Sequence, residues 1–256
     1  MGSDTPAEVP GDLAGSADQT SPSILINTMP KSGSVYLTTA LAAGLRLERA
    51  DIGNGYTLDD QINYWAAKRF AGTGKIAQNH FAPSAINVQI MNAVFGRWVV
   101  HVRDPRQALL SWVHHVDLFL AEGRQDFLLW FAPTIPAGYA DLDLSRKLDW
   151  NIKHYYPGLV GWLNGWLKIL DSGSYDILLT RHDELVSDEA GLCHRILEFY
   201  GVKRDYFIFS PPCKDRSTHF RRGDPDEWRE VLSRKQIKSC NRRLPPDLLA
   251  RFGWEP

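Results

Sequence analysis

The sequence predicts an α/β fold of three layers, in which a central parallel sheet is flanked by helices on both faces. Short apolar runs rich in β-branched residues occur at 23–29, 97–103 and 175–180, and each is followed by residues with helical spacing. This alternation is typical of parallel strands joined by helical connections. The chain has 256 residues and 44% hydrophobic content, which is enough to enclose such a sheet in one core.

The first strand leads into the loop 30–33, Pro-Lys-Ser-Gly, and then into a helix with leucine at every fourth position. Such a turn cradles phosphate, because backbone N–H groups, the helix dipole and a lysine point at one anion. The arrangement is P-loop-like but is not a Walker A loop, since Lys31 precedes Gly33 instead of standing directly before Ser or Thr. The segment 72–75, Gly-Thr-Gly-Lys, lacks the residues that complete that motif and is interpreted as a turn.

The remaining elements are predicted from spacing and capping residues. Ser84 is expected to cap one helix, and Asp104 with Pro105 to start the helix after the second clear strand. Gly201 is a stop signal for the helix after the third strand. The region 118–139 is apolar but interrupted by Gly and Pro, which favours a mobile cover over a core element. The other predicted segments are a short strand at 75–79, helices at 61–70, 84–94, 145–170 with a break at Pro157-Gly158, 188–200 and 226–233, and a last helix at the end.

Composition limits the class of protein. The net charge of −1 gives no indication of nucleic-acid binding, but residues 203–243 hold twelve Lys or Arg against six Asp or Glu. This excess favours a small polyanionic ligand, with a solvated basic face as the alternative.

The three cysteines lack metal-ligand spacing and suit a reducing compartment, the cytoplasm. No apolar run approaches the roughly 20 residues of a membrane span. Residues 1–22 are expected to be a disordered tail before a single domain, 23–256.

Three further segments carry candidate chemistry. His80 directly follows the short strand, and a neutral imidazole is suited to take a proton near pH 7. Arg103 ends the second clear strand, and Ser111 lies about two turns into the following helix, so both can approach one anion. Near the C-terminus, residues 221–223 read Arg-Arg-Gly, and guanidinium groups bind phosphate oxygens in pairs.

Together with the loop Pro-Lys-Ser-Gly-Ser and its following aromatic, these segments resemble the motifs of the sulfotransferase family. The family's donor is 3′-phosphoadenosine 5′-phosphosulfate (PAPS). The resemblance spans about 24–229, with departures: Gln78 stands where many members have Lys, Val35 replaces a hydroxyl, Tyr36 replaces a Trp that stacks on adenine, and Asp226 replaces a Gly. His182 falls on a family Tyr that contacts the nucleotide. The donor-binding residues that the resemblance implies are Lys31, Ser32, Gly33, Ser34, Val35, Tyr36, Arg103, Ser111, His182, Arg221, Arg222 and Gly223.

The resemblance implies in-line transfer of a sulfuryl group to an acceptor hydroxyl, with adenosine 3′,5′-bisphosphate as product and no metal. His80 would deprotonate the acceptor and Lys31 would neutralise charge on the leaving phosphate oxygen. His114, His115 and His219 lack the placement of His80. The expected partners are a small-molecule acceptor and, in a possible homodimer, a second copy. A P-loop-type kinase and a non-catalytic nucleotide-binding protein are the more distant alternatives.

The acceptor is predicted from aromatic content. A small hydrophobic alcohol or phenol is favoured, while an amine and a saccharide or glycolipid hydroxyl stay open because Trp and Tyr also stack on sugars. Trp162 and Trp166 are candidate pocket residues that are as readily interpreted as core. The candidates in the broken apolar region are Phe119, Leu120, Phe127, Leu128, Leu129, Trp130, Phe131 and Tyr139.

Overall fold

A computed structural model describes residues 22–55, 58–124, 135–215 and 222–256. Apart from residue 22, the expected N-terminal tail therefore lies outside the described residues.

Five parallel strands form the central sheet in the order β2-β3-β1-β4-β5. This confirms the predicted fold class, a parallel sheet flanked by helices. The first candidate strand lies at the centre, as expected for its fully buried apolar sequence. The edge strand β2 was not predicted, because its two residues carry no readable pattern. The strands are β1 (Ile24–Thr28), β2 (Arg49–Ala50), β3 (Ile76–Asn79), β4 (Arg97–Val102) and β5 (Asp176–Arg181).

Eleven α-helices are seen in the described ranges. None of them is both long and apolar enough to cross a membrane. Two single turns of 3₁₀-helix occur at Tyr139–Asp141 and Arg204–Tyr206. The α-helices are α1 (Ser34–Leu45), α2 (Tyr64–Phe70), α3 (Ala85–Phe95), α4 (Pro105–Ala121), α5 (Leu144–His154), α6 (Tyr156–Asp171), α7 (His182–Ser187), α8 (Glu189–Phe199), α9 (Glu227–Val231), α10 (Arg234–Asn241) and α11 (Pro246–Phe252).

Two hydrophobic cores lie on opposite faces of the sheet. Side chains alternate along a strand, so Leu25 of β1 packs with helices α2 to α6, whereas Ile24 and Ile26 pack with α1 and α8. This gives the three layers. It also brings the carboxyl ends of β1, β3, β4 and β5 to one edge of the sheet, where ligands bind in open α/β folds.

The predicted capping residues are confirmed. Ser84 accepts from the backbone N–H of Asn87 at the start of α3, and Asp104 accepts from that of Arg106 at the start of α4. The long aromatic stretch divides at Tyr155, two residues before the expected break, because Pro157 fits within the first turn of α6.

Two expectations were wrong. Region 118–139 is not simply a cover, because α4 continues to Ala121 and both Phe119 and Tyr139 are buried. The Tyr139 hydroxyl lies 2.7 Å from Asn151 Nδ2, so this ring is fixed in a core. The middle of the region, 125–134, lies outside the described residues. The helix expected from residue 61 begins only at Tyr64, because Asn63 caps it, and α10 was not predicted separately.

Candidate active site

The loop between β1 and α1 is a tight turn with two residues in the left-handed region, Lys31 (φ 64°) and Gly33 (φ 82°). Gly33 is the N-cap of α1. A Cβ at this position would lie 3.1 Å from His182 Cδ2, so the close approach of α7 also requires glycine. The first N–H groups of α1 have no acceptor within the helix, which makes this end a site for an anion.

A buried histidine fixes this loop from below. His101 of β4 is fully buried, with Nε2 3.0 Å from the Ser32 carbonyl oxygen and Nδ1 2.8 Å from Thr180 Oγ1. Since a carbonyl oxygen only accepts, Nε2 carries the proton and Nδ1 accepts from the threonine hydroxyl. Burial lowers the pKa of His101 to about 4, so this tautomer is neutral. Strands β4 and β5 thus hold the loop through one imidazole.

A cavity of about 1060 Å³ opens above the carboxyl ends of the strands. It brings together residues from the loop after β1, from β3, from the end that follows β4, from α1, α4, α6 and α7, and from the segment before α9. Ser32 does not line the cavity, because its side chain is fully buried. Its Oγ has no hydrogen-bond partner in the described chain. Arg221 lies outside the described residues. The predicted site residues that line the cavity are Lys31, Gly33, Ser34, Val35, Tyr36, His80, Arg103, Ser111, His182, Arg222 and Gly223.

Two arginines, Arg103 and Arg222, line this cavity together with Lys31. Arg103 is 8% exposed, and its Nη1 donates to the Lys31 carbonyl oxygen at 3.0 Å, so strand end and loop are joined directly. Arg222 Nη1 lies 3.3 Å from Oε1 of the buried Glu227. The other carboxylate oxygen of Glu227 accepts from Gln107 Nε2 at 3.3 Å. A buried carboxylate therefore positions Arg222 against α4.

His80 projects into the same cavity from the end of β3. Its Nδ1 lies 2.7 Å from the Thr28 carbonyl oxygen, which fixes the tautomer with the proton on Nδ1 and a lone pair on Nε2. Burial, with a smaller contribution from Lys31, lowers the pKa of His80 to about 4. Gln78, the departure from the family's Lys, donates from Nε2 to Thr28 Oγ1. His80 is thus a neutral proton acceptor placed by the sheet.

The end of the cavity beside α1 and α8 contains an aromatic ring and a carboxylate. The Tyr36 hydroxyl donates to Glu189 Oε2 at 2.6 Å, and Lys214 Nζ lies 2.7 Å from Glu189 Oε1. Lys214 also lies 5.6 Å from the centre of the Tyr36 ring. Burial, and then the charge of Arg103, lowers the pKa of His182 well below its usual value. His182 is therefore a neutral ring at the cavity wall.

The opposite end is lined by aromatic side chains. The rings of Trp112 and Tyr155 stack at 4.5 Å and 14°, and Phe119 follows Trp112 on the same face of α4. Trp162 lines the cavity and donates from Nε1 to the Phe81 carbonyl oxygen at 2.8 Å. Of the predicted acceptor residues, Phe119 and Trp162 line the cavity, Tyr139 and Trp166 are buried in the interior, and Leu120 is partly buried against the cluster of Tyr139. Residues 127–131 lie outside the described residues.

Several residues of the cavity were missed or misplaced by sequence reasoning. His115, which was thought to lack a suitable placement, lines the cavity one turn beyond Ser111. Gln107 and Glu227 were not singled out, although both sit inside motifs that were recognised. The contact between the Thr28 carbonyl oxygen and His80 was also missed. It follows from the pairing of Asn27 with Asn79, because Thr28 and His80 are the next residues along the two chains. Within the described ranges, no group of three or more His, Cys, Asp or Glu residues could hold a metal ion.

The fold is similar to that of solved sulfotransferases. Mouse sulfotransferase SULT7A1 in complex with PAP matches with a TM-score of 0.56 and 13% identity, over 87% of this chain and 82% of that chain. A sulfotransferase from Alicyclobacillus acidocaldarius matches with a TM-score of 0.52 and 14% identity, over 92% and 97% of the two chains. No protein-family model and no curated protein matches the sequence.

Proposed function

Because the chain has the sulfotransferase fold, we propose that it transfers a sulfuryl group from PAPS to the hydroxyl of a small hydrophobic acceptor. One observation carries this proposal. A phosphate-type loop, two arginines and a neutral histidine converge on one cavity from four separate parts of the chain. A site for one phosphate alone would not require cationic groups from so many parts of the chain. A cluster that served only the stability of the fold would not be expected to surround a cavity.

The cavity fits a donor with phosphate groups at two positions. The N-terminus of α1 and Lys31 would hold the 5′-phosphosulfate. Arg103, Ser111 and Arg222, with the backbone at Gly223, would hold the 3′-phosphate by charge-assisted hydrogen bonds. Tyr36 and His182 supply ring surfaces for the adenine. Both rings line the same end of the cavity.

His80 would act as general base. Its Nε2 takes the proton of the acceptor hydroxyl while the acceptor oxygen forms a bond to sulfur. The bond between sulfur and the bridging phosphate oxygen breaks, and Lys31 stabilises the negative charge that grows on this oxygen. The low pKa of His80 keeps the imidazole neutral before reaction, and the negative charge of a bound donor opposes the effect of Lys31 on it.

The acceptor end favours a phenol or an apolar alcohol. Trp112, Tyr155, Phe119 and Trp162 present ring faces, and Trp162 lies beside the base through a 3.3 Å contact between its Nε1 and the His80 carbonyl oxygen. A saccharide or glycolipid hydroxyl is the second candidate, because the same rings can stack on a sugar. The cytoplasmic compartment and the homodimer stay predictions.

The test is sulfuryl transfer itself. Purified protein is incubated with PAPS and a panel of phenols, alcohols and saccharides, and sulfated product and adenosine 3′,5′-bisphosphate are both measured. We expect product with at least one phenol or alcohol, and loss of product with Lys31→Ala. Transfer to saccharides alone would move the assignment to the second candidate. A protein that consumes ATP in the presence of Mg²⁺ but does not consume PAPS would contradict the proposal.

A further inference from the structure

The cavity face of α6 carries two glycines between its aromatic residues. Gly158 and Gly161 both line the cavity, in the span from Tyr155 to Trp162. Glycine in a helix interior is less favourable than alanine, because it gives up more backbone freedom and adds no side-chain contact. Each of these glycines therefore calls for a structural reason.

Close packing supplies this reason for the neighbours of Gly161 but not for Gly161 itself. A Cβ at Gly158 would lie 2.9 Å from Leu58 Cδ1. A Cβ at Gly165, one turn further along the same face, would collide with the ring of Pro83. At Gly161 a Cβ would meet no atom within 4 Å. The space that glycine leaves at this position is open and belongs to the cavity.

The walls on either side of this space are fixed. Trp162 is 2% exposed, and its indole N–H donates to the Phe81 carbonyl oxygen, directly after the base His80. Tyr155 is held by its stacking on Trp112. A group at position 161 would thus enter the cavity that His80 also lines, and the rings of Trp162 and Tyr155 in its wall are held by these contacts.

We propose that Gly161 is the residue that sets the size of acceptor admitted to the site. The proposal rests on the proposed function. With glycine at 161, the space beside Trp162 accepts the second ring of an acceptor whose hydroxyl is directed to His80. A side chain at 161 would occupy that space and leave room for single-ring acceptors only.

The experiment compares Gly161→Ala and Gly161→Leu with the wild-type protein on 4-nitrophenol, 2-naphthol and estradiol. We expect Gly161→Leu to lower the ratio of kcat/KM for 2-naphthol over 4-nitrophenol by about 10- to 100-fold. Apolar pockets discriminate on this scale between substrates that differ in size by one or a few methylene groups. Gly161→Ala should give a smaller change and raise the melting temperature by about 2–4 °C. The control is Lys168→Leu, at an exposed position of α6 outside the cavity, which should leave the ratio unchanged.

A second readout does not need turnover. Calorimetry measures 2-naphthol binding to protein saturated with adenosine 3′,5′-bisphosphate, and we expect Gly161→Leu to weaken it at least tenfold without changing bisphosphate affinity. A wild-type protein that binds 2-naphthol but transfers no sulfuryl group would contradict the proposed function. The role of Gly161 in admitting the acceptor would then be decided by the 2-naphthol affinities of the wild type and of Gly161→Leu. Equal 2-naphthol affinity in both proteins, an unchanged kcat/KM ratio, or a wild-type protein that binds none of the three acceptors would overturn the inference.

Discussion

The Nδ1 atom of His80 lies 2.7 Å from the carbonyl oxygen of Thr28. Thr28 is the last residue of β1 and His80 directly follows β3, so the parallel pairing of these two strands creates the contact. The backbone acceptor holds the proton on Nδ1 and directs the basic Nε2 lone pair away from the sheet. The central sheet therefore sets both the position and the tautomer of the proposed base.

His80→Ala tests this base directly. We expect kcat to fall by about 10² to 10⁴, because general-base catalysis contributes this much, while bisphosphate affinity changes little. Steady-state kinetics and calorimetry measure the two quantities. The matched control is His115→Ala, since His115 is a second histidine of the same cavity and lies on α4 instead of at the end of a strand. An equal loss of kcat in both variants, or a near-normal rate in folded His80→Ala, would contradict the assignment.

The stability of the protein should depend on the buried imidazole of His101. Its folded-state pKa of about 4 lies below the value of about 6.5 expected in an unfolded chain. As the pH falls below 6.5, the unfolded chain binds a proton that the folded chain does not, so the free energy of unfolding decreases until about pH 4. For this one group the decrease is about 3 kcal/mol.

Urea unfolding at pH 7, 5.5 and 4.5 measures this dependence. His101→Gln should lower stability at pH 7, because the Ser32 carbonyl and the Thr180 hydroxyl lose their partner. The same variant should also show a shallower loss of stability between pH 6.5 and 4. A pH profile that is parallel to that of the wild type would show that His101 is not responsible.

Arg103→Ala should weaken the binding of adenosine 3′,5′-bisphosphate by about 10- to 100-fold, the range expected for a hydrogen bond to a charged group. Arg103→Lys should recover only part of this loss, because lysine lacks the planar fork of guanidinium. Arg97 lies at the opposite, exposed end of the same strand and provides the control, for which Arg97→Ala should bind normally. Equal affinities for the Arg103 and Arg97 variants would place the phosphate elsewhere.

Glu227→Gln should weaken bisphosphate binding several-fold, because the neutral amide no longer pairs with Arg222. A double-mutant cycle with Arg222→Ala separates a shared role from two independent ones, and we expect the double variant to lose little more than Arg222→Ala alone. Asp226→Asn is the matched control, since Asp226 is exposed and pairs with Arg229. Additive losses would show that Glu227 does not act through Arg222.

Local features were predictable from sequence because their signals are local. The strand, loop and helix around Lys31 follow from a short apolar run, two turn residues and helical spacing, and the cap at Asp104 follows from one side chain. The link between Gln107 and Glu227 joins residues 120 positions apart, and nothing in either neighbourhood indicates it. His101 lies in an apolar strand, so the sequence indicates that it is buried. The sequence does not indicate that its ring contacts the Ser32 carbonyl oxygen, which is distant along the chain.

The acceptor end was the least predictable part for the same physical reason. Region 118–139 has no sustained period, so its division between α4, a buried tyrosine and the cavity wall depends on packing against α5 and α6. The sequence alone does not reveal why residue 161 is glycine, because a glycine can either leave space in a cavity or allow a close contact with a neighbouring element. Only the space around its Cα distinguishes them.

The measurement that tests the central claim most directly is calorimetric binding of adenosine 3′,5′-bisphosphate beside ATP, with and without Mg²⁺. We expect tight binding of the bisphosphate that does not depend on the metal, and much weaker binding of ATP, because Arg103 and Arg222 are proposed to hold the 3′-phosphate, which ATP lacks. Preference for Mg²⁺-bound ATP would contradict the account and return the phosphate loop to the kinase-like alternative.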